Sequence, residues 1–100
     1  MILEPSISSG AITVVTSLNV TSSPGLLHSV ILHPGSAASS IIVYDQSGTA
    51  ASGTVLCKLL GVANGASVVA IFPAPIYTTR GIAVAVAGTA AEAVVTYTKG

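Results

Sequence analysis

Apolar and polar positions alternate in short runs along this chain, and the alternation is cleanest between Gly81 and Ala87. There Ile82, Val84 and Val86 share one parity and Ala83, Ala85 and Ala87 the other, the period-two pattern of a β-strand. Other short segments rich in Val, Ile, Thr and Tyr suit a pleated, half-buried surface. They are punctuated by turn-formers at Ser8-Ser9-Gly10, Thr21-Ser22-Ser23-Pro24-Gly25, Pro34-Gly35-Ser36, Gln46-Ser47-Gly48, Ala63-Asn64-Gly65 and Ala87-Gly88-Thr89. Strands are predicted over 11–20, 26–33, 40–45, 53–60, 66–72, 76–79, 81–87 and 92–98. No window of helix length carries a 3.6-residue period. The fold class that follows is all-β: a single antiparallel β-sandwich or jelly-roll-like domain of about eight short strands. Two Greek keys and a simpler sandwich both accommodate these strands.

Particular residues refine this picture. Asn64-Gly65 is a hairpin turn signal between Leu59-Leu60 and Val68-Val69. Pro73 and Pro75 lack the N–H a central strand must donate, so their region belongs at a sheet edge or a crossover. The methyl row of Ala83, Ala85 and Ala87 stands where a solvent-facing strand would carry Lys, Glu, Thr or Gln, and it suits close approach by a second sheet or another subunit. Residues 1–10 read as an N-terminal arm ahead of a sandwich over 11–100. Pro5 and the Ser-Ser-Gly run interrupt any regular element, which suits a poorly ordered terminus, while Ile2, Leu3 and Ile7 suit equally an arm that docks on a neighbour.

Composition narrows the function classes. The 100 residues are 51% hydrophobic and only 6% charged, against ~25% charged in ordinary domains. Disordered chains are charged and poor in Val, Ile and Leu, so the shortfall does not signal disorder. The most apolar stretch, Gly81 to Ala91, is ended by Glu92 and falls far short of the ~20 residues a membrane helix needs. Lys58, Arg80 and Lys99 are scattered and the formal net charge is zero, which argues against nucleic acid and against a membrane surface as partners. The N-terminal Met-Ile-Leu-Glu-Pro has no basic n-region and no long apolar h-region, so no signal peptide is expected. The single cysteine, Cys57, fits a reducing cytosol.

Candidate chemistry is sparse. His28 and His33, five positions apart on one predicted strand, are expected on opposite faces and too far apart to share a metal. No serine lies in a Gly-x-Ser-x-Gly elbow, and Glu4, Asp45 and Glu92 are the only carboxylates for acid–base work. No cofactor, metal or catalytic residue is expected, and the chain reads as a non-enzyme. Asn19-Val20-Thr21 matches a glycosylation acceptor by chance. Tyr44, Tyr77, Tyr97 and Phe72 are expected to fill the core and the strand ends. Arg80 is placed to pair with Asp45 or Glu92, to fix register between subunits, or, equally, to stay solvated.

The order of segments carries a resemblance. An apolar strand ending in Tyr-Asp (Ile41-Ile42-Val43-Tyr44-Asp45) is followed by a Ser/Gly/Ala loop and Ser52-Gly53-Thr54-Val55-Leu56. Then come Phe72-Pro73, Gly81-Ile82-Ala83-Val84-Ala85-Val86 with Gly88-Thr89, and a closing Val95-Thr96-Tyr97. Over most of 11–98 this resembles the small β-sandwich virion proteins of tailed bacteriophages, most of all the capsid decoration or cement proteins. The resemblance implies a structural virion component on the capsid surface, made in the bacterial host cytoplasm. It implies a homotrimer that binds the major capsid protein and bridges capsomers. The alternatives are a tail or head-fibre module and a carbohydrate-binding jelly roll using Tyr44 or Tyr77. Ile2, Leu3, Ile7, Arg80, Ala83, Ala85 and Ala87 are the expected interface residues.

Overall fold

The period-two stretches fold as strands, nine of them among the residues that the computed structural model describes, 7–48 and 53–99. They are β1 (Ile7–Ser8), β2 (Ile12–Thr13), β3 (Val15–Thr21), β4 (Gly25–His33), β5 (Ser39–Asp45), β6 (Thr54–Gly61), β7 (Val68–Thr78), β8 (Ile82–Ala87) and β9 (Glu92–Lys99). All pairing is antiparallel. One sheet, A, has the order β1–β9–β4–β7 with β2 also on β9; the other, B, has the order β3–β8–β5–β6. Taken together, β1 and β2 form one interrupted edge strand, which leaves four positions per sheet. Every later connection crosses between the sheets except β5 to β6. That is the double Greek key of a jelly roll, so the pairing order excludes the simpler sandwich.

The core lies between the inner faces. Leu27, Leu32, Val30 and Val95 from sheet A meet Ile41, Val43, Ile82, Val84 and Val86 from sheet B, all almost without exposed surface. The rows differ in size: Ile12, Ala93, Leu32 and Val68 lie side by side in one, with Ala93 the small member, and the large Ile7, Tyr97, Leu27 and Ile76 in another. Side chains from the two inner faces interdigitate to fill the space between the sheets. Tyr97 and, in part, Phe72 fill the core as expected, but Tyr77 is 63% exposed on the outer face of sheet A.

Three local expectations are corrected. The strand expected over 11–20 breaks at Val14, because Ile12–Thr13 pairs with β9 in sheet A and Val15 onward with β8 in sheet B. The segments 66–72 and 76–79 join into the single edge strand β7, in which residues 72–75 bulge out of the ladder between the pairs Ile71–Ser29 and Ile76–Leu27. Pro73 and Pro75 sit in that bulge on an edge, where no partner waits for an N–H. Asn64-Gly65 does turn, with Asn64 at φ 53° and the Gly65 N–H donating to the Val62 carbonyl at 2.9 Å. The turn sends β7 to the opposite sheet, so it closes no hairpin.

The end of the sandwich that carries the 62–65 turn is tied by loop 34–38. Ser36 N–H donates to the Thr89 carbonyl at 3.1 Å and Asn64 N–H to the Gly35 carbonyl at 2.7 Å. A Cβ on Gly35 would stand 1.8 Å from the Thr89 carbonyl oxygen, so only glycine lets the two loops touch. At the N-terminal edge, Ser9 bridges β1 and β2. Its N–H donates to the Val95 carbonyl at 2.8 Å, and its hydroxyl oxygen accepts the Val95 N–H at 2.9 Å.

Candidate interaction surfaces

The alternation in β8 decides what each sheet B face presents. Ile82, Val84 and Val86 point into the core, and the methyl row points out. Strand order then surrounds that row. Tyr44 and Asn19 flank Ala83, Ile42 is opposite Ala85, and Ser40 is opposite Ala87. Ala83 has no exposed surface and is enclosed by its own chain; Ala85 is half-buried and Ala87 exposed. The two outer alanines form the floor of an open groove of about 370 Å³ whose walls include Val14, Thr16, Ser40 and Ile42. Lys58 is opposite Ile42, and Leu60, 67% exposed, is opposite Ser40, so both stand on the β6 side of the groove. No residue lining the groove is charged.

The outer face of sheet A is built differently. One row across it is apolar (Val94, Ile31, Val69) and the next carries hydroxyls (Ser8, Thr96, Ser29) before ending on exposed Ile71. The Ser29 and Thr96 hydroxyls hydrogen-bond directly. His28 and His33 both belong to this face, against the expectation that they would point apart. The extra residue in β4 between Leu27 and Ser29 resets the parity. The two rings take separate partners: His28 Nε2 meets Thr98 Oγ1 at 2.6 Å, and His33 Nδ1 meets Ser67 Oγ at 2.5 Å. Among the described residues no three His, Cys, Asp or Glu side chains gather into a metal-binding group.

At the far end of the molecule, Asp45 closes β5 and fastens the turn between β7 and β8. Its Oδ2 accepts the Thr79 N–H at 3.1 Å and the Thr79 hydroxyl at 2.9 Å; its Oδ1 accepts the N–H groups of Arg80 at 2.9 Å and Gly81 at 3.4 Å. Desolvation pushes this carboxyl upward, but the hydrogen bonds outweigh it and leave the acid below its usual range. Arg80 therefore meets Asp45 through its backbone. Its side chain is exposed. Beside this turn, Asn19 Nδ2 donates to the carbonyls of Thr21, Ile82 and Gln46 at 3.1, 3.4 and 3.5 Å, tying three segments together. The amide of the apparent glycosylation acceptor is thus committed to the fold. Burial raises the Cys57 thiol above its ordinary value, which keeps it protonated and slow to react.

Of the residues expected at an interface, Ala85 and Ala87 share the groove, and Arg80 lies at the other end of β8. Ile7 pairs with Tyr97 and packs against the chain's own core. Ile2 and Leu3 lie outside the described residues. Sequence reading missed Val14, Ser40, Ile42 and Lys58 as neighbours of the alanine row. The alternation within β5 was the available signal for Ser40 and Ile42, but only strand order brings β5 beside β8. No protein-family model matches the chain, and neither the curated proteins nor the solved structures show a significant match.

Proposed function

We propose that this chain is a non-enzymatic viral structural protein, a cement or decoration subunit that binds the outer surface of a tailed-phage head as a homotrimer and stabilises it by bridging capsomers. The observation that carries the reading is the character of the sandwich's outer faces. Sheet B presents an uncharged groove floored by Ala85 and Ala87, and sheet A a row of Val94, Ile31 and Val69. Small and β-branched side chains lose little rotamer entropy when covered, so such faces suit broad, shallow protein contacts. Contacts of this kind become strong when symmetry repeats them, because linked sites bind with avidity. The charged groups support the same reading. Lys58 is in β6, Arg80 in a turn and Lys99 at the end of β9, which leaves no basic cluster for phosphate. The order of segments from the Tyr44-Asp45 strand to the closing Val95-Thr96-Tyr97 supports the assignment to a phage head.

Immunogold labelling of virions of the phage that encodes the chain tests this location. Label spread over the whole head is expected. Label confined to the tail or to one vertex would replace the proposal with a tail or head-fibre role.

A further inference from the structure

We propose that the outer edge of β6 pairs with the same edge of a second copy of this chain, antiparallel about a two-fold axis at Leu59, so that sheet B runs on through both copies. This contact goes beyond the preceding reading and does not depend on it. It adds to whatever other symmetry the copies have; in the proposed coat it would join subunits of neighbouring trimers.

The sheet edges decide where. A strand edge carries unpaired N–H and C=O groups that another strand satisfies, and proteins guard such edges with breaks, bulges, prolines and charges. Sheet A ends on one side in β1 and β2, of two residues each. On its other side β7 keeps 68–71 in register before its bulge, with Pro73 and Pro75. In sheet B the edge strand β3 shifts register twice between Val15 and Thr21. The remaining edge strand, β6, pairs with β5 without a break from Cys57 to Gly61. That is the longest regular run on any edge; it contains no proline, and Lys58 is its one charged side chain. Among the described residues no further strand pairs with it. Leu60 within the run and Val62 just past it are 67% and 72% exposed.

Such an edge is complementary to itself. An antiparallel ladder has a two-fold axis perpendicular to the sheet, so each donor of one copy meets the equivalent acceptor of the other. The axis keeps every side chain on its own face and therefore passes through a residue that faces its own copy. The regular run and its charge select which. An axis at Lys58 sets like charges directly opposite. An axis at Cys57 draws in residues 54–56, where the register with β5 slips between Cys57 and Val55. An axis at Leu60 or Gly61 pairs three or fewer residues of the run. An axis at Leu59 pairs all of 57–61 in both copies. The half-buried Leu59 side chains then meet on the axis. Lys58 lies opposite the exposed Leu60 of the second copy, with its aliphatic stem along that side chain and its ammonium in water. This ladder supplies about four to six backbone hydrogen bonds. It buries less than the ~1,600 Å² of a standard interface, so the contact is weak and reversible by itself and gains strength by repetition.

Light scattering of the full-length protein over a concentration series reads the contact, with circular dichroism as the check on folding. Leu60→Lys places a lysine opposite Lys58 on both sides of the axis and is expected to weaken the association about tenfold. Adding Lys58→Glu makes both pairs attractive and is expected to restore it. Both positions are exposed, so unchanged spectra are expected. Disulfides read the register. In a Cys57→Ala background, chains carrying Lys58→Cys and chains carrying Leu60→Cys are oxidised separately and as a mixture. The mixture is expected to form covalent dimers, because the two positions face each other. Either chain alone is not, because equivalent positions lie on a diagonal of roughly 7–8 Å. A mass curve that Leu60→Lys leaves unchanged, or cross-linking in the mixture no stronger than in either chain alone, would overturn the inference. Head labelling bears only on the cement reading, so the two stand or fall separately.

Discussion

Asp45 shows how much one side chain carries in a protein with six charged residues. Its carboxylate accepts hydrogen bonds from three consecutive residues, Thr79, Arg80 and Gly81, and so holds the β7–β8 turn at the end of β5. Because the native acid is held below the usual 3.8, its stabilisation is complete above that value and disappears as pH falls through the lower native one. Asp45→Asn keeps one accepting oxygen and loses the charge and the other. It is expected to lower unfolding stability by about 1–2 kcal/mol at pH 7. Urea unfolding at pH 7 and at pH 2.5 checks this: the gap between wild type and variant should shrink at the lower pH, and a constant gap would show that the charge is idle. The tie was half legible. A Tyr-Asp strand end before a turn marked Asp45 as a partner for Arg80, but through side chains. Which backbone faces a carboxylate depends on the path of the turn, and residue types do not encode that.

At the level of elements, the fold was most readable where the pattern is local. The parity of β8, the edge placement of Pro73 and Pro75, and most strand positions follow from period two and from proline's missing donor. The reading failed where a strand answers to a partner. Val14 parts two strands because β2 and β3 belong to different sheets, and the extra residue in β4 places both histidines on one face. The groove was legible only as its floor. Its walls come from the order β3–β8–β5–β6, a tertiary choice among topologies that share the same strands. Loop contacts are of the same kind. Gly35 looks like an ordinary turn glycine, yet its Cα hydrogen faces the Thr89 carbonyl. Gly35→Ala is expected to cost about 1–3 kcal/mol, since a close backbone contact must open to admit the methyl. A thermal midpoint unchanged by that substitution would show that loop 34–38 is not held where the fold places it.

Over the whole molecule, a jelly roll with its polar chemistry spent on itself turns outward surfaces suited to protein. The Asp45 and Asn19 hydrogen bonds go mainly to the chain's own backbone, with one hydroxyl each from Thr79 and Ser22, and both histidines bond neighbouring hydroxyls. What faces outward on the two sheets is mainly Val, Ile, Ala, Ser and Thr. In the proposed cement role such a subunit would act by covering and being covered, through the assembly it joins. The most direct measurement of the proposed cement role is co-sedimentation of the purified protein with phage heads that lack it, at increasing protein concentration. The account predicts saturable binding at a fixed number of copies per capsomer, with bound heads surviving heat or chelator that disrupts bare ones. Protein that stays in the supernatant at every concentration would contradict it.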